Sequence, residues 1–518
     1  MRRVTLAVAA ALLLAAPAFA EAAGPTISLQ QGALQGGTED GIAVFRDIPF
    51  AAPPSGAWRW RAPQPAPNWT GTRDARAFGP ICPQPPTART RRLAQSEDCL
   101  SLNVWTPQAQ DGAKLPVMVW IYGGSFRTGG SAMTIYDGTD LAKHGVIVVT
   151  FNYRVGLLGF LDLTGLGQNV PGEAAANYGL MDQIAALKWV RANIARFGGD
   201  PSNVTIFGES AGAMSVNDLM ASPAARGLFA KAISESGLGL IATRTKARSL
   251  EITNSFAEKH DARGTTALDT LRALPVSDIV ADEKSHGLGR DVAPEVDGTV
   301  IPDQVPELFA KGEIAKVPYL TGWNSNEASL MRFIGFTPEA MIAALGPREA
   351  EVRALYEQNG TLNDEEFGEK LFDDQVFGAG AQGLADFVAA RGAPSYVYHF
   401  AYIAENFRSR FKGVDHAGEI PYVFGTRGLD LGFFVNLLTG GISADDQKVI
   451  DKVQDYWTNF AKTGDPNGAG LPSWPAFKPD NETMVFDNDS IEARSNFHAP
   501  KTAIGFAAWS KRTGLSAP

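Results

Sequence analysis

The chain has 518 residues, 45% hydrophobic, 20% charged and 10% aromatic, with a formal net charge of −10 at pH 7. This composition excludes disordered, collagen-like and coiled-coil chains, and the length is ample for a large buried core. The acidic balance argues against nucleic acid and anionic membrane surfaces as partners.

Residues 1–20 read as a signal peptide. Arg2 and Arg3 precede an apolar stretch from Val4 to Ala16, and Ala18-Phe19-Ala20 supplies a small-x-small cleavage pattern. The apolar part is too short for a membrane anchor, and no Cys follows to take a lipid. The mature protein is expected to start near Glu21 and to be exported to the periplasm or the medium. Loss of the two arginines takes the formal charge from −10 to −12. No later run is long and apolar enough to span a bilayer.

Export gives the cysteine count its meaning. Two cysteines, Cys82 and Cys99, enter an oxidising compartment, where pairing is favoured over two separate buried thiols. One disulfide is expected, closing the loop Pro83 to Asp98 and contributing on the order of 3 kcal/mol in the chain-entropy model.

Leu115 to Tyr122 is an apolar strand that breaks into Gly123-Gly124-Ser125, and Val146 to Phe151 is a β-branched run suited to a strand covered on both faces. Gly179 to Phe197 has apolar residues at helical spacings and ends at Gly198-Gly199-Asp200-Pro201. The strand Val204 to Phe207 then enters Gly208-Glu209-Ser210-Ala211-Gly212, followed by a helical run from Ala213 to Ala221. Strand, helix, strand, tight turn and helix is the grammar of a doubly wound α/β fold with a mostly parallel sheet. Further on, Ile252 to His260, Met341 to Tyr356 and Gly383 to Arg391 read as helices, while Val317 to Gly322 and Tyr396 to Tyr402 read as strands. No linker, low-complexity tract or repeat divides residues 21–518, which are expected to form one domain with insertions.

Gly208-Glu209-Ser210-Ala211-Gly212 fits G-x-S-x-G in the strand-turn-helix context that gives the motif its meaning, so Ser210 is the candidate nucleophile. A serine hydroxyl needs a base, and the chain has only six histidines. His144 and His399 adjoin or occupy strands, His260 lies near a helix end, His498 lies in the tail, and His286 precedes any plausible acid. His416 sits late in the chain in a loop, as the order serine, acid, histidine requires. The acid should follow a strand between the two; Glu327, after Val317 to Gly322, is the choice, and Asp415 is the rival that adjoins His416.

Longer stretches carry a resemblance. Phe45 to Pro54, Ser96 to Trp105, Trp120 to Phe126, Asn152 to Gly156 and Phe197 to Gly212 are similar to the type-B carboxylesterase family, which includes cholinesterases and bacterial p-nitrobenzyl-type esterases. The resemblance covers nearly the whole mature chain. It implies an α/β-hydrolase fold with helical insertions shaping an active-site gorge, and a serine esterase without cofactor or metal. The family's triad falls on Ser210, Glu327 and His416, and its N-terminal disulfide on Cys82 and Cys99. Its oxyanion hole falls on the N–H groups of Gly124, Ser125 and Ala211, with Ser125 standing where the family usually has glycine.

The implied partner is a small-molecule ester. Pro83 to Asp98 contains no aromatic residue, and Leu330 and Met331 stand where cholinesterases carry rings. A quaternary ammonium would therefore lack its cation–π partners. Neutral carboxylic esters are expected, with Leu330, Met331, Phe333 and Phe336 either lining the pocket or belonging to the core. A non-catalytic relative, or hydrolysis of a lactone or amide, would be the alternatives. Gly378 to Gly383 matches G-x-G-x-x-G but lacks a parallel-strand unit, and no metal-binding or nucleotide motif is present. Oligomeric state is not legible.

Overall fold

The computed structural model describes residues 24–166, 176–285, 292–426, 441–478 and 480–516. The expected signal peptide and His286 lie outside the described residues.

The first strands in chain order are β1 (Thr26–Leu29), β2 (Gly32–Gln35), β3 (Gly37–Glu39), β4 (Ile42–Pro49), β5 (Thr72–Asp74), β6 (Ser101–Thr106) and β7 (Leu115–Ile121). They are followed by β8 (Ile147–Phe151), β9 (Gly199–Glu209), β10 (Lys231–Glu235), β11 (Tyr319–Asn324), β12 (Ser395–Phe400), β13 (Thr483–Phe486) and β14 (Ile491–Arg494). β1, β2 and β5 form a small sheet, and the other eleven form one large sheet in the order β14-β13-β12-β11-β10-β9-β7-β8-β6-β4-β3. From β8 to β13 every neighbouring pair is parallel, and antiparallel strands finish both edges.

Val117 to Ile121 and all of β8 are fully buried, as expected of parallel strands covered by helices on both faces. The helix Tyr178–Asn193 packs alongside them with Leu180, Ile184, Leu187 and Val190 in the core, and it ends through a 3-10 turn at Gly198, whose φ is 89°. Among the described residues no helix is long and apolar enough to cross a membrane.

Three expectations shift in detail. The strand read as Val204 to Phe207 begins at Gly199, because Gly199 pairs with Leu115 across an irregularity in the β7–β9 register. Met341 to Tyr356 is two helices, Pro338–Ala343 and Glu349–Tyr356, separated at Gly346-Pro347; proline disfavours helical backbone at the residue before it. Gly378 to Gly383 runs through a π-turn into the helix Ala379–Ala390 and forms no phosphate-cradling loop.

The insertions carry a second apolar cluster around Met331, Met341, Phe367, Phe372 and Phe377, which abuts the sheet at Trp323 and Val397. This cluster walls one side of the region beyond the carboxyl ends of the parallel strands, where open α/β sheets place their ligands.

Candidate active site

β9 ends at Glu209 and the helix Ala211–Ala221 begins two residues later, so the chain reverses at Ser210 alone, with φ 56° and ψ −123°. Such backbone costs a non-glycine residue on the order of 1–3 kcal/mol and persists only where its surroundings enforce it. Ser210 N–H donates to Glu235 O at 2.9 Å, and Met214 N–H donates to Ser210 O at 2.8 Å. Space explains both flanking glycines. A Cβ on Gly212 would stand 1.9 Å from Ile121 O, and one on Gly208 would stand 2.6 Å from the same atom.

Glu327 follows β11 and is completely buried. Its Oε1 accepts from Ser236 Oγ at 2.6 Å and from Asn324 N–H at 2.7 Å, while Oε2 lies 2.6 Å from His416 Nδ1. The loop after β12 is laid beside this turn by a parallel bridge between Asn326 and Asp415, and His416 N–H donates to Ser329 Oγ at 3.0 Å. Asp415 points its carboxylate at Asn326 Nδ2, 2.6 Å away. The rival acid is thus occupied elsewhere, whereas Glu327 holds the ring.

His416 Nε2 is buried and has no hydrogen-bond partner among the described residues. Glu209 Oε1 lies 3.1 Å from it, out of line for a hydrogen bond, which places the ring against the residue that precedes Ser210. Catalytic hydrogen bonds commonly tighten only when substrate binds. The other described histidines are committed: His144 to Asp455, His260 to Asp282 and His498 to Asp374, while His399 is buried against Trp323 and its pKa is driven down to about 3 by that burial.

Sequence reasoning passed over the buried carboxyls Glu209 and Glu419 beside the ring, and Glu235 next to Glu209. Glu209 and Glu235 are opposite one another in the β9–β10 register, and Glu419 follows His416 by three residues. Glu235 accepts from Trp457 Nε1 at 2.8 Å, and Glu419 accepts from Asn324 Nδ2. Burial raises Glu209 to about 7, opposed by His416 and by Arg89 of the Cys82–Cys99 loop. Burial likewise raises Glu419 to about 8, with Glu209 and Glu327 adding to the rise. For His416, burial works against the cation, but Glu209, Glu327 and Glu419 outweigh it and lift the pKa to about 9. Glu209 was visible in sequence only as the variable letter of the motif.

Gly124 and Ser125 follow β7 with φ of 110° and 58°. The N–H groups of Gly124, Ser125 and Ala211 make no hydrogen bond to any described residue. Ser125, Ser210 and Ala211 line one cavity of about 810 Å³, a size typical of small-molecule sites. Leu330, Ile334, Phe336 and Met341 line it too, whereas Met331 is core and Phe333 is exposed. Cys82 and Cys99 are bonded, and the loop they close is docked by Gln84, which exchanges two 2.7 Å hydrogen bonds with the backbone of Gly129, just past the glycine turn.

Comparison with known proteins gives the family and the fold. The model of the Carboxylesterase family matches residues 23–365 and 351–504. The chain is 36% identical over 482 residues to the para-nitrobenzyl esterase of Bacillus subtilis (strain 168), covering 89% of this chain and 95% of that one. It is also 36% identical over 475 residues to the fumonisin B1 esterase of Sphingopyxis macrogoltabida, covering 88% and 85%. Among solved structures, a Geobacillus stearothermophilus carboxylesterase superimposes with a TM-score of 0.80 at 33% identity, covering 92% of this chain and 99% of that one. A solved para-nitrobenzyl esterase gives 0.78 at 34% identity, covering 93% and 99%. With its α/β-hydrolase fold and matches of this extent, the chain belongs to the carboxylesterase family and is a carboxylic ester hydrolase.

Proposed function

We propose that this is an exported serine esterase that works through a Ser210-His416-Glu327 triad and an acyl-enzyme. The observation that carries the reading is the buried 2.6 Å pairing of Glu327 with His416, whose Nε2 lies 3.1 Å from Glu209, the residue before the strained Ser210. In the first half-reaction His416 Nε2 takes the Ser210 Oγ proton as Oγ bonds to the ester carbonyl carbon. The N–H groups of Gly124, Ser125 and Ala211 receive the developing oxyanion, each worth about 2.7–4 kcal/mol in the transition state. Collapse breaks the bond to the alcohol, which leaves with the proton from His416. Water then attacks the acyl carbon as its proton passes to His416, and release of the acid restores Ser210.

The carboxyls around His416 favour the imidazolium formed after proton transfer, which assists the charged transition state. The same effect means that the neutral base is gained as pH rises through His416's elevated pKa. Export is supported by the leader-like residues 1–20 and by the disulfide, a bond favoured in oxidising compartments. Residues 21–518 are read as one domain, a reading supported by the family match across 23–504. The experiment is turnover of a p-nitrophenyl ester series by purified protein and by Ser210→Ala. We expect release of p-nitrophenol by the wild type and a loss of at least about a thousandfold in the variant. Full turnover by folded Ser210→Ala would overturn the assignment.

A further inference from the structure

The cavity reached from Ser210 is not uniformly neutral. Its walls carry the apolar side chains of Phe126, Met214, Leu238, Leu330 and Ile334, and they also carry Arg244, Arg248 and Arg512. Arg244 and Arg248 belong to one segment, before and within the first turn of the helix Lys246–Lys259, and that turn contains no acid. Arg512 arrives from the helix Ala499–Thr513, and its Nη2 donates to Leu240 O at 3.1 Å, which fixes it against the same segment.

The three arginines differ in standing. The Arg244 side chain is buried, donates to Phe160 O at 2.8 Å and lies 3.5 Å from Glu295, so it is part of the wall. Arg248 is half-exposed and shares its charge with Glu251 at 2.7 Å, so it adds to the cationic lining from within an ion pair. Arg512 is exposed, and no carboxylate of a described residue lies in salt-bridge contact with it. One carboxyl, Asp218, also lines the cavity. Burial raises its pKa, which favours the neutral form and lessens how far it offsets the arginines.

Direction within the site follows from the chemistry. The departing alcohol must leave beside His416, and neither His416 nor Glu209 lines this cavity. The cavity therefore receives the acyl chain.

We propose that the preferred acyl group is an aliphatic chain ending in a carboxylate, seated by Arg512 and Arg248 of the cavity lining, so that the substrates are half-esters of dicarboxylic acids. This rests on the esterase reading of Ser210 and narrows its substrate class, replacing the expectation of neutral esters. Guanidinium groups present a planar fork matched to carboxylate, and the apolar side chains of the walls suit methylenes.

The test uses mono-p-nitrophenyl esters of the linear diacids from adipic to sebacic acid, each beside its N-methylamide-capped neutral analogue, at pH 7 and low salt. At the best chain length kcat/KM for the carboxylate should exceed that for the capped ester by about tenfold, and the ratio should fall as salt is added. In the double variant Arg248→Gln, Arg512→Gln the ratio should drop to near one; both side chains are solvent-exposed, and circular dichroism checks the fold. Preference for the capped ester at every length would overturn the proposal, as would a ratio that the substitutions leave unchanged. Hydrolysis of the capped esters in either case keeps the esterase reading standing, whereas no turnover of any ester by the wild type would remove that reading itself.

Discussion

Ser125 and Glu209 show how single residues set this site. At φ 58° Ser125 occupies a region that costs a side chain about 1–2 kcal/mol, and its N–H makes no hydrogen bond to a described residue. Ser125→Gly is expected to keep ester turnover and to stabilise the fold by about 1 kcal/mol, read from urea unfolding and kcat on one ester. Loss of activity in that variant would mean that the hydroxyl itself takes part. Glu209 contributes a negative charge 3.1 Å from His416 Nε2 and helps hold the imidazolium. Glu209→Gln removes that charge, so the histidine pKa must fall and the acidic limb of the kcat/KM profile must move to lower pH, by about one unit. A limb that stays in place would show that another group sets it.

Elements bring together what single letters cannot announce. Ser210 was legible because the elbow motif sat between a strand and a helix, and His416 because six histidines permit elimination. Glu327 was legible from its place after a strand. Glu209 and Glu419 were not, since only the fold gathers them around one ring, with Glu235 set beside Glu209 by the β9–β10 register. The cationic part of the cavity was equally hidden: Arg248 and Arg512 come from helices far apart in sequence, and only the fold brings both to the lining of one cavity. The Cys82–Cys99 loop is a further unit of this kind, tied through Gln84 to Gly129. Replacing both cysteines with serine is expected to cost about 3 kcal/mol in urea unfolding. It should also lower kcat, because the segment carrying Gly124 and Ser125 loses a support. Unchanged stability would show that Gln84 docking alone holds the loop.

For the whole molecule, buried acids govern how stability responds to pH. Burial raises Asp218 and Glu283 to about 8 in the folded protein, well above the ordinary values of 3.8 and 4.5. Between those ordinary values and pH 8 the unfolded chain has released protons that the folded one retains, so stability falls as pH rises through that window. His416, raised to about 9, acts in the same direction: its favourable protonation is lost as pH rises through 9. Unfolding at matched salt should therefore show lower stability at pH 8.5 than at pH 5.5, while ester turnover rises over the same range. The opposite order of stabilities would contradict this placement of the acids. The most direct measurement traps the intermediate: acid quench during turnover of p-nitrophenyl acetate, followed by peptide mass analysis. An acetyl adduct on Ser210, absent from Ser210→Ala, is the expected result; rapid turnover with no adduct, or an adduct on another residue, would contradict acyl transfer through this serine.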